Sequence, residues 1–138
     1  MKHLTISLAL LALSAVQACA ADLTIHVDGV RRSAGQVTVA VYNSADSYMK
    51  TPLKSAAAAA VEGRTTVMLA DLTAGEYAFA VVHDANGNGK MDRNLLGMPK
   101  EDYAFSNNAV GKMGPASFTD AKFTLPASGA AVHVTLKN

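Results

Sequence analysis

One stretch of the chain carries oxygen ligands at the spacing of a calcium-binding loop. In HDANGNGKMD, short polar side chains stand at relative positions 1, 3, 5 and 9, and a main-chain carbonyl is available at position 7. Glycine at position 6 allows the sharp bend with which such a loop curls around a hard cation. The stretch therefore predicts a calcium site. Its ligands would be the side chains of Asp84, Asn86, Asn88 and Asp92 and the carbonyl of Lys90.

The motif departs from a complete calcium loop at position 12. Leu95 stands where a bidentate glutamate is expected, and Glu101 is the candidate for a sixth ligand that folds back, with Pro99 stiffening the return. Few carboxylates predict weak binding, with a dissociation constant of roughly 10⁻⁴ to 10⁻³ M. The competing interpretation is that these residues form Asx-turns in a solvent-exposed loop without metal.

Histidine chemistry offers two further candidates. His83 precedes Asp84 and could act as a general base oriented by a carboxylate, although a histidine packed beneath the loop and donating one hydrogen bond is favoured. His26 and His133 fall on the polar phase of two predicted strands. If the first and last strands pair, the two imidazoles could bind a transition metal, but without a third ligand we favour an exposed surface.

The amino terminus has the pattern of a secretory signal peptide. Lys2 gives a positive tip, residues 4–16 are almost wholly apolar, and the small residues Ala18 and Ala20 predict cleavage before Ala21. The apolar run is too short for a membrane span. An alternative is a lipoprotein in which Cys19 is acylated, since residues 16–19 loosely resemble a lipoprotein box. The predicted location is secreted or periplasmic, and the processed chain is expected to have no transmembrane segment.

Composition limits the classes of function open to the processed chain. Cleavage after residue 20 of 138 leaves 118 residues, which fits one domain, 21–138. It removes Cys19, the only cysteine, so no disulfide framework, thiol nucleophile or cysteine zinc site is expected. It also removes Lys2, one of 12 basic residues, and none of the 11 acidic residues, which leaves a net charge of zero. This balance does not favour nucleic acid or an anionic membrane as partner.

Period-two alternation predicts an all-β domain. It is clear in residues 23–27, 37–41, 65–69, 121–125 and 132–136, with a more apolar strand at 76–83 that we expect to be central and covered on both faces. The alanine-rich segment 55–61 is interpreted as a strand rather than a helix, residues 71–75 as a turn, and the first two strands as a meander. About seven strands and no convincing amphipathic helix predict a single antiparallel β-sandwich, immunoglobulin-like or transthyretin-like.

Residues 84–116 are predicted to form one long, functional loop. They show little periodicity and contain five of the ten glycines. Tyr103 and Phe105 are expected to anchor this loop to the sandwich. Ser106 has no evident base partner, and with Asn107 and Asn108 it is expected to bond the loop's own backbone or to line a shallow groove beside the calcium loop.

Several segments, in one order, resemble domain-of-unknown-function family 2141, a group of uncharacterised secreted bacterial proteins. They are GEYA (75–78), HDANGNGKMD (83–92), GMPKE (97–101), FSNN (105–108), and GPASF (114–118) with DA (120–121). The chain departs from the pattern at Asp102 and Ala104, where glycines are expected, and at Ala116, where a second proline is expected. The resemblance implies a secreted β-sandwich domain and supplies no activity.

The sequence leads to one main functional hypothesis and one of a different class. The first is an exported, non-enzymatic module whose calcium-ordered loop presents a binding surface to a cell-envelope protein or ligand. The second is a small hydrolase or lyase that uses His83 with Asp84 or Glu101. No nucleophile elbow, phosphate loop or zinc-protease helix is present in the sequence.

Overall fold

The computed structural model describes residues 20–89 and 100–137. Eight strands, a 3₁₀ turn and one short helix account for most of them. The strands are β1 (Ala20–Val30), β2 (Gln36–Tyr42), β3 (Lys54–Ala59), β4 (Gly63–Thr73), β5 (Gly75–Asp84), β6 (Tyr103–Phe105), β7 (Phe123–Leu125) and β8 (Ala130–Thr135). A 3₁₀ turn, Ser106–Asn108, follows β6, and the helix α1, Phe118–Ala121, precedes β7.

The strands form two sheets that pack face to face. One has the order β4-β1-β8, and the other has the order β3-β2-β5-β6, with β7 paired to β5. This confirms the predicted all-β sandwich. The pairing is antiparallel except between β1 and β8, which run parallel. The predicted meander of β1 and β2 is wrong, because these two strands lie in different sheets and face each other across the core.

Alternation along the strands places one apolar side chain in every two toward the core. In β1, Leu23, Ile25 and Val27 are fully buried, and each lies between more exposed neighbours. These side chains form one core with the valines of β2 and the apolar residues of β4 and β5. Each residue buried in this way contributes roughly 1.5–3 kcal/mol relative to exposure, which makes this shared core the main stabilising feature.

The central strand β5 is covered on both faces, as predicted. Its inner face joins the main core through Phe79 and Val81. Its outer face packs Ala78 and Ala80 into a second cluster with Phe105 and residues of the segment around α1. Double coverage explains the nearly unbroken apolar composition of the strand.

Two predicted strands differ in detail from expectation. The alanine-rich segment is strand β3, as predicted, but the strand covers Lys54–Ala59 rather than 55–61. It pairs with β2. Strand β4 is longer than its predicted core and continues to Thr73, where a turn was expected from Asp71. Asp71 has a φ of +61° and produces a register shift against β1 between Ala21 and Leu23. An Asp tolerates this left-handed conformation, so the residues form a β-bulge and the strand continues.

The prediction of a single irregular loop over 84–116 is corrected by the structure. Strand β6 and the 3₁₀ turn lie inside that range, which raises the count to eight strands. Phe105 is buried and Tyr103 is half-buried, as expected for anchors. Tyr103 also exchanges two backbone hydrogen bonds, of 2.9 and 2.8 Å, with Lys137 just beyond β8. This bridge connects the two sheets along one side.

Within the described residues, no helix is long and apolar enough to cross a bilayer. The predicted signal peptide, including Cys19, lies outside them, apart from Ala20 at the start of β1.

Candidate functional site

The candidate site lies where β5 ends, because this strand delivers His83 and Asp84 to one end of the sandwich. The connection between β1 and β2 crosses the same end and packs closely on it. Gly35 has a φ of +66°, and a Cβ there would lie 2.0 Å from the carbonyl oxygen of Asp84. Only glycine meets both conditions, so Gly35 fixes how closely the connection approaches the strand end.

The residues after Asp84 curl around its carboxylate. Asp84 is 2 % exposed. Its Oδ1 accepts a hydrogen bond from the backbone N–H of Asn88 (3.2 Å), and its Oδ2 accepts one from Gly89 (2.6 Å). The Asn88 N–H also lies 3.2 Å from Oδ1 of Asn86. Backbone N–H groups that converge on a carboxylate hold its oxygens in place.

The structure brings three of the six predicted calcium ligands together. Asp84, Asn86 and Asn88 share one tight turn, in which Gly87 and Gly89 have φ values of +68° and +74°. Lys90 and Asp92 lie outside the described residues, as do Leu95 and Pro99. Glu101 is 8 % exposed and lies where the chain returns to the sandwich. Within ranges 20–89 and 100–137, no three His, Cys, Asp or Glu side chains cluster as metal ligands would.

His83 is held beneath the site by two contacts. It is 3 % exposed, and its Nε2 lies 2.8 Å from the carbonyl oxygen of Ala34. A carbonyl only accepts, so Nε2 carries a proton and donates it. The backbone N–H of His83 donates to the carbonyl of Asp102 at 2.9 Å. The side chain thus makes the single hydrogen bond expected of a packed histidine, but to the β1–β2 connection rather than to the long loop.

A cleft of about 300 Å³ opens beside His83. It is lined by Arg31, Arg32, His83, Ala85, Lys100, Glu101 and Asp102. Three of these side chains are cationic and two are acidic, so the cleft is strongly charged. Arg32 and Lys100 are exposed and form no ion pair with another described residue.

Asp102 closes one side of the cleft with a bidentate ion pair. Its Oδ2 accepts from Nε of Arg31 at 2.7 Å, and its Oδ1 accepts from Nη2 at 2.6 Å. These hydrogen bonds, together with the carboxylate charge, raise the pKa of Arg31. Fork-to-fork geometry of this kind is the strongest form of an Arg–carboxylate contact. It links the return of the long segment to the β1–β2 connection.

Sequence reasoning missed the basic side of this cleft. Arg31 and Arg32 leave the end of β1, whereas Lys100 stands almost 70 positions later, so the chain gives no local pattern that groups them. The adjacent pair Arg31-Arg32, directly after a strand, was the available signal of a charged surface.

The Ser106–Asn108 turn has a bracing role. Oγ of Ser106 accepts from the N–H of Phe79 at 3.0 Å and donates to the carbonyl of Ala121 at 2.6 Å. The Asn107 side-chain amide donates to the carbonyls of Asp120 and Lys122, and Asn108 accepts from the N–H of Thr135. These side chains bond the backbone of neighbouring elements, rather than that of their own loop as expected. Asn108 also lines a small groove beside β6.

His26 and His133 lie on the outer face of the other sheet. His26 is half-buried and His133 is exposed, and both alternate with core residues as predicted. The first and last strands, β1 and β8, do pair, and this pairing places His26 and His133 side by side.

Comparison with known proteins identifies the family. A family model described as "uncharacterized protein conserved in bacteria (DUF2141)" matches residues 25–133, from within β1 to within β8. No curated protein and no solved structure matches the chain. The matched range contains both sheets, the Asp84 turn, the cleft and the Ser106 brace. The chain therefore belongs to the DUF2141 family of bacterial proteins.

Proposed function

We propose that this chain is an exported, non-enzymatic β-sandwich module in which calcium orders the segment after β5, so that this segment presents a binding surface to a cell-envelope protein or ligand. The observation that carries the proposal is the buried Asp84 carboxylate at the end of a central strand, with the following residues curled around it. Calcium loops begin in this way, with an aspartate at position 1 and backbone that bends around it.

The chemistry of the donors fits a hard cation. The described part of the turn supplies one carboxylate and two amide side chains, and all three offer oxygen. The remaining ligands in our proposal are the Lys90 carbonyl, Asp92 and Glu101. A bound calcium ion supplies positive charge that offsets repulsion among these carboxylates. Asp84 anchors that charge to β5, and Glu101 connects it to the segment that returns through Asp102 and β6.

The charged cleft is the proposed binding surface. It lies between the β1–β2 connection and the returning segment, and Glu101 stands at its wall. Order in the returning segment would fix the positions of Lys100 and Glu101 relative to Arg32. A ligand that carries both acidic and basic groups, such as a polar peptide segment, complements this mixed lining.

A hydrolase or lyase is the second candidate, because His83 and Glu101 line the same cleft. Two observations argue against this catalytic role. His83 is only 3 % exposed, and its Nε2 is already occupied by the Ala34 carbonyl, so a substrate would have to reach Nδ1.

Thermal unfolding in excess chelator and in millimolar calcium tests the calcium proposal. Ligand at ten times its dissociation constant stabilises the folded state by about 1.4 kcal/mol, which raises Tm by several degrees for a domain of this size. The variant is Asp84→Asn, and the matched control is Asp46→Asn, an exposed aspartate in the β2–β3 connection. The quantity compared is the calcium-dependent change in Tm of each protein, since Asp84→Asn also removes hydrogen-bond acceptors.

The expected result is a calcium-dependent rise in the parent and in Asp46→Asn, and none in Asp84→Asn. A parent whose Tm is the same in chelator and in calcium would refute the metal-ordered loop. It would leave Asp84 as the centre of an Asx-turn and make His83 and Glu101 the next residues to test for activity.

Export by the predicted signal peptide, to the periplasm or the medium, is part of the proposal. Mass spectrometry of the amino terminus tests it. A mature chain that starts at Ala21 supports a free protein, whereas diacylated Cys19 would establish a lipid-anchored one.

The finer class of the sandwich is also a proposal. We infer an immunoglobulin-like or transthyretin-like arrangement, supported by two facing sheets of short strands joined by connections that cross between the sheets.

A further inference from the structure

The outer face of the three-stranded sheet carries a pair of neighbouring histidines, one on β1 and one on β8. Strands β1 and β8 run parallel in a register that sets His26 directly beside His133. Their ring centroids are 4.8 Å apart, and the ring planes differ by 30°. The core residues on either side of each histidine fix this face outward, so both rings remain accessible to solvent.

The separation of the rings matches the demands of a shared metal ion. A metal–nitrogen bond of about 2.0–2.1 Å, added to about 1.2 Å from the nitrogen to the ring centroid, puts the metal about 3.2 Å from each centroid. Two imidazoles that bind one ion at an angle between 90° and 109° then have centroids about 4.5–5.2 Å apart. The observed 4.8 Å lies within this range. The spacing of the two rings therefore agrees with that of two imidazoles on one ion.

A neighbour on the third strand orients one of the two ligands. Thr66, the β4 residue paired with His26, places its Oγ1 2.9 Å from Nδ1 of His26. When Nδ1 donates its proton to Thr66, Nε2 carries the free lone pair. Ligating histidines use their second nitrogen in this way to fix the tautomer and the ring orientation.

An ion pair lies beside the two histidines. Asp28 is on the same face, two residues beyond His26, and is paired with Arg64 at 2.6 Å, so its charge is balanced. Within the described residues no third metal-binding side chain completes the site. Water would fill the remaining coordination positions.

From this geometry we infer that His26 and His133 form a surface site for a borderline divalent transition metal, with Cu²⁺ bound most tightly. Imidazole nitrogen suits Cu²⁺, Ni²⁺ and Zn²⁺, and copper heads this series in affinity. Calcium, which requires oxygen ligands, does not compete for such a pair. The site is therefore independent of the calcium proposal in location, ligand type and metal.

Copper titration of the purified protein, made without an affinity tag, tests the inference. Binding is followed by calorimetry, and the ligands are identified from nitrogen hyperfine structure in the electron paramagnetic resonance spectrum. The variants are His26→Gln and His133→Gln. The matched control is Thr24→Gln, which places the same new side chain on the same face of β1. Titrations are repeated in millimolar calcium and with Asp84→Asn.

The parent and Thr24→Gln are expected to bind one Cu²⁺ through two imidazole nitrogens, whether or not calcium is present. Each histidine variant is expected to bind at least about tenfold more weakly and to lose one nitrogen coupling. Copper affinity that is unchanged by both histidine substitutions, or a parent spectrum without coupling to two nitrogens, would overturn the inference. Failure of the calcium test leaves this result unaffected, because the two experiments use different residues and ions.

Discussion

Replacement of Ser106 by alanine is expected to destabilise the fold far more than a serine-to-alanine change normally does. The 3-residue strand β6 ends at Phe105, which pairs with Ala80 of β5. At the next position the side-chain hydroxyl of Ser106, rather than a backbone group, forms the hydrogen bond to β5. It accepts from the N–H of Phe79 at 3.0 Å and donates to the carbonyl of Ala121 at 2.6 Å, and it is 1 % exposed.

The magnitude follows from the groups left behind. Ser106→Ala fills nearly the same volume but leaves one buried N–H and one buried carbonyl without this partner. Each of these two unsatisfied buried groups costs about 1–3 kcal/mol, so we expect a total loss of about 2–6 kcal/mol. Since small domains are stable by only about 5–15 kcal/mol, this is a large fraction of the whole. At about 4 °C per kcal/mol, Tm should fall by about 8–24 °C.

Urea unfolding followed by circular dichroism measures the change. The midpoint should move to lower urea while the slope m stays constant, which indicates a change in stability rather than in the unfolded state. The matched control is Ser128→Ala, at an exposed turn position between β7 and β8, where we expect a change within about 0.5 kcal/mol. Equal midpoints for Ser106→Ala and Ser128→Ala would refute the assignment of Ser106 as a buried bridge between β5 and α1.

Three further predictions concern other parts of the sandwich. Gly35→Ala should lower the free energy of unfolding, measured in urea, by more than about 2 kcal/mol, because the new Cβ meets the Asp84 carbonyl and the residue has a positive φ. The control Gly75→Ala places its Cβ in open space and should change the free energy of unfolding little. Equal effects of the two substitutions would refute the steric account. Tyr48→Phe should raise the free energy of unfolding by about 1 kcal/mol, since among the described residues the buried Tyr48 hydroxyl has no hydrogen-bond partner; a loss of stability would contradict this. Burial, together with the charge of Tyr42, raises the pKa of Tyr48 from 10.0 to about 12. The unfolded chain therefore ionises first. The free energy of unfolding is at its full value with respect to this residue below about pH 10, and it falls as pH rises from there to about 12. Ultraviolet absorbance of tyrosinate should show this residue ionising late, and Tyr48→Phe should remove that late step.

Local patterns predicted the strands well because each depends on residues close in sequence. The alternation of Leu23, Ile25 and Val27 is enough to define a strand with one buried face, and the apolar composition of β5 reflects its double coverage. Pairing depends on the tertiary structure instead. Nothing near β1 indicates that its neighbours are β4 and β8 rather than β2. Strand β6 has only three residues, which is too short a segment for periodicity to reveal, and it forms by pairing with β5.

The candidate site was predictable only where its residues are contiguous. The turn after Asp84 followed from the spacing of aspartate, asparagine and glycine in one short stretch. The cleft required Arg31 and Asp102 to meet, although 71 positions separate them. The Asp71 bulge was mistaken for a turn because Asp and Gly nearby are typical of both, and the choice between them depends on pairing with β1.

The parallel pairing of β1 with β8 has a consequence for the order of folding. The first strand of the sandwich lies between β4 and the last strand, so its second edge is completed only by residues 130–135. Contacts between segments this distant in sequence carry a high loop-closure cost and are formed slowly. An incomplete chain therefore exposes an open edge of β1, and we expect the cooperative transition to wait until the carboxyl-terminal strand has emerged. Such a chain would gain its full stability only when β8 has paired with β1.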